Sequence, residues 1–129
     1  MLSDHPIDVV LLAPDLQASR AFYHERLGLE IVSEDDASVT FSCGGDSRIE
    51  ISRSTTGTAD EQTQAAWRVD DLAAELRELR ARGVEIVEYD TPELRTDDGI
   101  MDTGDALHAW IVDPGGNTLA INQPRAPKQ

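Results

Sequence analysis

The chain contains one motif twice, and this repeat constrains the fold more than any other feature. Residues 15–32 read DLQASRAFYHERLGLEIV and residues 71–87 read DLAAELRELRARGVEIV. Each copy opens with Asp-Leu, continues as an amphipathic stretch and passes a glycine, Gly28 or Gly83, before a short β-rich run. An apolar run precedes each aspartate, so each half begins as strand, helix, strand. The offset of 56 positions (71 − 15) therefore predicts two similar modules with pseudo-twofold symmetry.

The pattern of apolar residues extends each half to a β-α-β-β-β module. Asp15 and Asp71 are good N-caps, and the two glycines are typical helix stops. The predicted helices run from residue 16 to about 27 and from residue 72 to 83. The predicted strands are 7–13, 29–33, 38–43, 48–53, 64–69, 84–89, 107–112 and 118–122. The connections are a polar linker over 54–63, a long loop over 91–106 and a DPGGN hairpin turn over 113–117.

We therefore expect the α+β class, with two β-α-β-β-β modules forming a curved sheet around a cleft. At 129 residues the chain is expected to be one domain, with the repeats spanning 5–53 and 62–123. A cleft between two similar halves is a natural place for a ligand.

Charge and composition exclude several classes of partner. The chain has 25 acidic and 11 basic side chains, a net charge of −14, so no basic stripe could bind a nucleic-acid backbone. No apolar run approaches the roughly 20 residues that cross a bilayer, and the first residues do not resemble a secretory signal. Cys43 is the only cysteine, so we expect a cytoplasmic protein. Ten of the 11 basic residues are arginine, which favours a bacterial source of high GC content.

Three segments carry a resemblance to a known family. They read VVLLAPDLQASRAFYHERLGLEIV, WRVDDLAAELRELRARGVEIV and WIVDPGGNTLAINQ, and they cover both halves. This pattern resembles the vicinal oxygen chelate superfamily, which includes glyoxalases, bleomycin-resistance proteins and extradiol dioxygenases. The resemblance implies the paired-module fold, and it does not single out one reaction because the fold hosts several chemistries.

The resemblance also implies where a divalent metal would bind. Metal-dependent members place one ligand seven residues before each capping aspartate and one on the last strand of each half. Those positions are Asp8, Gln64, Glu50 and Ala120. Alanine has no donor atom, and no histidine occupies the set, so we expect at most a weak divalent metal bound by Asp8, Glu50 and Gln64. Ala120→Glu is expected to complete an oxygen-rich set.

Strand alternation predicts which other side chains line the cleft. Counting from Asp8 and Glu50, and by family analogy for the strand before DPGGN, the ligand-binding residues are expected to be Asp8, Arg48, Glu50, Gln64, Arg68, His108 and Trp110. The same alternation places apolar residues such as Val10 and Leu12 beside them. An apolar surface with a few polar groups is typical of small-molecule sites. Trp110 could stack on a flat ligand, or it could be ordinary core.

Three functions are consistent with these residues. The first is a protein that binds a small organic molecule without a complete catalytic metal site. The second is a metal-dependent lyase, isomerase or dioxygenase that uses Asp8, Glu50 and Gln64. The third is a metal-free enzyme with Glu50 or His108 as the catalytic general base. Family resemblance and apolar residues on both faces of the first strand also favour a homodimer.

Overall fold

The structure, a computed structural model, describes residues 1–58 and 62–125. The described part contains two α-helices, α1 (Leu16–Ala21) and α2 (Leu72–Ala81). Its strands are β1 (Asp8–Ala13), β2 (Glu30–Glu34), β3 (Ser38–Ser42), β4 (Arg48–Arg53), β5 (Thr63–Arg68), β6 (Met101–Asp102), β7 (Ala106–Val112) and β8 (Thr118–Pro124). Within these residues no helix is long and apolar enough to cross a membrane.

The chain forms two compact units. The first unit comprises Met1–Glu61 with Asp113–Asn117, and the second comprises Gln62–Val112 with Thr118–Gln129. Each unit holds one four-stranded mixed sheet, ordered β1-β4-β3-β2 in the first and β5-β8-β7-β6 in the second. In both, the strand before the helix runs parallel to the last strand of the repeat. The predicted α+β class with two β-α-β-β-β modules is confirmed.

Both helices begin at the predicted capping aspartates, and each helical segment is followed by the predicted glycine. The Asp15 carboxylate accepts a hydrogen bond from the Ala18 amide at 3.1 Å, and Asp71 accepts one from Ala74 at the same distance. Gly28 and Gly83 have φ angles of 75° and 82°, the left-handed conformation in which other residues are strained. The repeated Asp-to-Gly spacing is therefore a pair of helix boundaries.

Each helix covers one face of its own sheet. In the first unit the buried strand residues Leu11, Ala13, Val39, Phe41, Ile49 and Ile51 pack with Leu16 and Tyr23 on the helical segment. In the second unit the buried strand residues Ala109, Ile111, Leu119 and Ile121 lie on the face that α2 covers with Leu72 and Leu76. We call the opposite side of each sheet its helix-free face.

Two predicted elements differ in the structure. The first helix does not continue regularly to residue 27, because α1 ends at Ala21 and a π-helical turn follows over Phe22–Arg26. The sequence pattern predicts a strand over 84–89, but none of these residues belongs to a strand in the structure. The Val87 amide donates one hydrogen bond to the Trp110 carbonyl, and the edge of the sheet beyond it is completed by β6. The two-residue strand β6 thus takes part of the position that β2 has in the first unit.

Candidate functional site

The helix-free face of the first unit carries the predicted polar residues of that half. Asp8 is opposite Arg48, and Val10 is opposite Glu50, across the β1–β4 ladder. Leu11 and Ala13 on the other face are at most 3% exposed, whereas Val10 is 55% exposed. The predicted alternation of β1 is therefore confirmed, and it leaves apolar as well as charged side chains on this face.

Asp8 and Arg48 form an ion pair on this face. The Arg48 Nε atom donates to Asp8 Oδ1 at 3.4 Å and Nη2 donates to Oδ2 at 3.2 Å. Both side chains are partly exposed to solvent, so the pair contributes little to stability. The pair matters more for binding, because both carboxylate oxygens of Asp8 contact the guanidinium, which would compete with a metal ion for them.

Glu50 is the carboxylate of this face that the ion pair leaves available. It is half-buried on β4, opposite Thr40 of β3. Among the residues that the structure describes, no side chain or amide forms a hydrogen bond with its carboxylate. A half-buried carboxylate in this situation can accept a hydrogen bond from a ligand or a proton from a substrate.

The helix-free face of the second unit is built in two cross-strand rows. The first row contains Arg68 of β5, Asn122 of β8 and His108 of β7, and the second contains Ala66, Ala120 and Trp110 on the same three strands. Arg68 is exposed and His108 and Trp110 are half-buried. Three of the seven predicted ligand-binding residues therefore lie together on this face.

Trp110 is the centre of an aromatic cluster. Its ring centroid lies 5.4 Å from that of Tyr89 in an edge-to-face arrangement, and 6.1 Å from the His108 ring, which is nearly parallel. The indole Nε1 donates to the Thr63 hydroxyl at 3.3 Å. Tyr89 and Thr63 were not predicted as site residues, because the sequence places one in a presumed strand and the other in a linker.

His108 is held at both ring nitrogens. Nδ1 lies 2.9 Å from Asn122 Oδ1, and Nε2 lies 3.2 Å from the Thr103 hydroxyl. The same hydroxyl donates to Asp105 at 2.7 Å, and this hydrogen bond is the largest cause of the lowered pKa of that carboxyl. For His108 to act as a general base, one of its two contacts must first break.

The residues at the implied metal positions are a poor donor set. Asp8 is bound by Arg48, Ala120 has no donor, and the Gln64 amide donates to the Gln62 carbonyl at 3.0 Å. Within residues 1–58 and 62–125, no group of three or more His, Cys, Asp or Glu side chains could hold an ion. The residues at the implied positions therefore do not fit a divalent metal ion.

Solved structures with the same fold include a bleomycin resistance determinant, an antibiotic binding protein and a lyase. The bleomycin resistance determinant of transposon Tn5 shares 25% identity, with coverage of 93% of this chain and 98% of that chain and a TM-score of 0.71. TnmS3, an antibiotic binding protein from Streptomyces sp. CB03234, shares 22% identity, with 94% and 96% coverage and a TM-score of 0.71. Lactoylglutathione lyase from Agrobacterium tumefaciens shares 20% identity, with 91% coverage of both chains and a TM-score of 0.68.

Sequence comparisons give the family. No curated protein sequence matches the chain significantly. The model of the glyoxalase/bleomycin resistance protein/dioxygenase superfamily matches residues 5–121. This match covers both capping aspartates and, apart from Asn122, every residue of the two helix-free faces discussed above. The chain therefore belongs to the glyoxalase/bleomycin resistance protein/dioxygenase superfamily.

Proposed function

We propose that this protein binds a small organic molecule, and that it does so without a catalytic metal. The observation that carries the proposal is the aromatic cluster around Trp110 on the helix-free face of the second unit. An indole fixed by Thr63 and flanked by Tyr89 offers a rigid surface on which a planar group can stack. Preorganised aromatic side chains bind ligands at low cost in conformational entropy.

The polar neighbours of the cluster support a ligand with hydrogen-bonding groups. Arg68 shares a cross-strand row with Asn122 and His108, next to the row that contains Trp110. Among the described residues, no acidic side chain forms an ion pair with Arg68, so its guanidinium remains available to a ligand oxygen. The similar structures named as an antibiotic binding protein and a bleomycin resistance determinant support the same class of function.

A second candidate function rests on Glu50. Because this carboxylate is half-buried and without a hydrogen-bond partner among the described residues, it could serve as the general base of a metal-free enzyme. His108 is a weaker candidate for that role, since both of its ring nitrogens are already bound.

Calorimetric titration with a panel of planar aromatic antibiotics, bleomycin included, tests the binding proposal. We expect a compound that binds the wild type in EDTA, and whose affinity falls about 30-fold in Trp110→Leu, equivalent to about 2 kcal/mol. Trp67→Leu is the matched control, because Trp67 lies on the opposite face of the same sheet. Equal affinity of the wild type and Trp110→Leu for every binding compound would contradict the proposal.

Glu50→Gln separates the two candidates. If Glu50 only contacts the ligand, this isosteric change alters affinity and no chemical product forms with either protein. If Glu50 is a general base, the wild type converts the bound compound and Glu50→Gln binds it without conversion. Mass spectrometry of the compound after incubation distinguishes these results.

We further propose that the protein works in the cytoplasm as a homodimer. The support for a dimer is the apolar surface of β1, where Val10 and Leu12 are 55% and 40% exposed. Sedimentation that finds only monomer at micromolar concentration would contradict this part of the proposal.

A further inference from the structure

The Trp110 side chain crosses a neighbouring strand. Trp110 lies on β7, and its hydrogen-bond acceptor Thr63 lies on β5. The strand order places β8 between these two strands. Adjacent strands are about 4.8 Å apart, so an indole that reaches β5 must extend over β8.

The residues of β8 beneath this path are buried. Ala120 is directly opposite Trp110, and Thr118 is directly opposite Thr63, in the two ladders of β8. Ala120 and Thr118 are 4% and 5% exposed, although they lie on the helix-free face. The neighbouring Ala66 lies in the same row on β5 and is exposed. Burial on this face is thus confined to the strand that the indole crosses.

Gln64, the other implied metal position of this unit, lies in an irregular part of β5. The β5–β8 register shifts between Thr63 and Ala65, which makes Gln64 the extra residue of a β-bulge. Its amide donates to the carbonyl of Gln62, which directly precedes β5. Thr63, which accepts the hydrogen bond from the indole, directly precedes this bulge.

We propose that the Trp110 indole, held by Thr63, occupies the space above Ala120 and closes this half of the chain to a metal ligand. Ala120 is then small because the indole covers it, and a glutamate there would meet the ring instead of an ion. The structure thus gives a reason to expect that Ala120→Glu alone does not complete a metal site. This inference rests on the proposed function only in taking ligand binding to be metal-free.

A double-mutant cycle tests the steric part of the inference without any ligand. Ala120→Glu inserts a carboxylate beneath a ring, and we expect it to lower the melting temperature by on the order of 10 °C. In a Trp110→Val background the same change should lower the melting temperature by clearly less. Ala66→Glu is the matched control, because it adds the same group in the same row at an exposed position, and its shift should be equal in both backgrounds.

The same proteins are melted with and without Mn²⁺. If the indole covers Ala120, Mn²⁺ should raise the melting temperature of Ala120→Glu no more than it raises that of the wild type. Equal costs of Ala120→Glu in the two backgrounds, or a gain of stability with Mn²⁺ while Trp110 is present, would overturn it. The two proposals can fail separately. The melting experiments can contradict the covering of Ala120 by the indole even if a ligand binds, and calorimetry can contradict ligand binding even if the double-mutant cycle gives the expected result.

Fluorescence keeps the inference testable if Ala120→Glu does not fold. Trp67 and Trp110 are the two tryptophans of the chain, so Trp67→Phe leaves Trp110 as the sole emitter. In that background Thr63→Val should shift the emission to the red and raise quenching by acrylamide, since the indole loses its anchor. Thr91→Val serves as the control and should change neither. Unchanged emission and quenching in Thr63→Val would overturn the inference.

Discussion

The two units of this molecule share a strand order and differ in almost everything on their helix-free faces. Both have an aspartate-capped helix and a four-stranded mixed sheet of equivalent order. The first unit presents an Asp8–Arg48 ion pair and the Glu50 carboxylate, whereas the second presents Trp110 and His108. Burial against a helix restricts one face of each sheet to apolar residues, and the other face is free to acquire a different chemistry.

The outer edges of the two sheets show the same contrast. In the first unit β2 pairs with β3, and Arg20 of α1 binds Glu34 of β2. In the second unit the equivalent segment, residues 84–89, is held by side-chain hydrogen bonds. The Glu88 carboxylate accepts hydrogen bonds from the Gly99 amide at 2.6 Å and the Thr96 hydroxyl at 2.7 Å. A regular ladder and a carboxylate-bound loop are thus two solutions for the same position in the repeat.

Truncating the core of α2 should have the largest effect on stability. Leu76 is 1% exposed, so Leu76→Ala leaves a cavity and is expected to cost about 3 kcal/mol of unfolding free energy. Arg77→Ala on the exposed side of the same helix is the control and should change stability by less than about 0.5 kcal/mol. Urea unfolding of both variants checks this, and a similar cost for the two would show that α2 does not cover its sheet.

Removing the Tyr23 hydroxyl should show how much a buried hydrogen bond stabilises the first helical segment. Tyr23 is fully buried, and its hydroxyl donates to the Asp113 carboxylate, which also accepts from the Gly115 and Asn117 amides. Tyr23→Phe should therefore cost about 2 kcal/mol, because a buried charged acceptor loses one donor. Urea unfolding at neutral pH measures this, and a cost near zero would show that the hydroxyl contributes no net stability.

The same tyrosine should give the wild type a distinctive response to alkali. Burial, and then the charge of Asp113, raise the pKa of Tyr23 above its ordinary value. Its contribution is therefore complete below the unfolded pKa of about 10 and is lost as the pH rises further. Stability of the wild type should fall above about pH 10 more steeply than that of Tyr23→Phe. Parallel curves for the two proteins would contradict this assignment.

Ser19 offers an opportunity to stabilise the first unit. Its hydroxyl is buried and has no hydrogen-bond partner among the described residues. Ser19→Ala should raise the unfolding free energy by about 1 kcal/mol, since it removes an unpaired polar group and favours the helix. Gln17→Ala, an exposed change on the same helix, controls for helix propensity. Loss of stability in Ser19→Ala would indicate that the hydroxyl has a partner after all.

The exposed ion pair at the edge of the first sheet should have the smallest effect. The hydrogen bond from Arg20 lowers the pKa of Glu34, so the pair stabilises the fold above the ordinary carboxyl pKa and stops doing so as the pH falls. Glu34→Gln should lower the melting temperature slightly at pH 7 and low salt. The difference should vanish in high salt and in acid. A difference that persists at high salt would argue for a role beyond the ion pair.

Local patterns predicted the fold well because the physics behind them is local. The capping aspartates, the glycine stops and the alternation of β1 depend on neighbouring residues alone. The position of residues 84–89 depends instead on hydrogen bonds to Glu88 from Thr96 and Gly99, in a loop that no periodicity describes. Likewise, family resemblance predicts that Trp110 lines a cleft, whereas its hydrogen-bond acceptor Thr63 lies 47 positions away along the chain. Such long-range hydrogen bonds leave no signature in a single sequence.

Binding of a ligand at Trp110 without a metal is the central proposal for this protein. The most direct measurement follows Trp110 emission, in Trp67→Phe, during titration with the aromatic antibiotic panel in EDTA and again in Mn²⁺. We predict that a binding compound quenches this emission with dissociation constants that agree within about twofold in the two solutions. Binding that occurs only in Mn²⁺, or that leaves Trp110 emission unchanged, would contradict the claim.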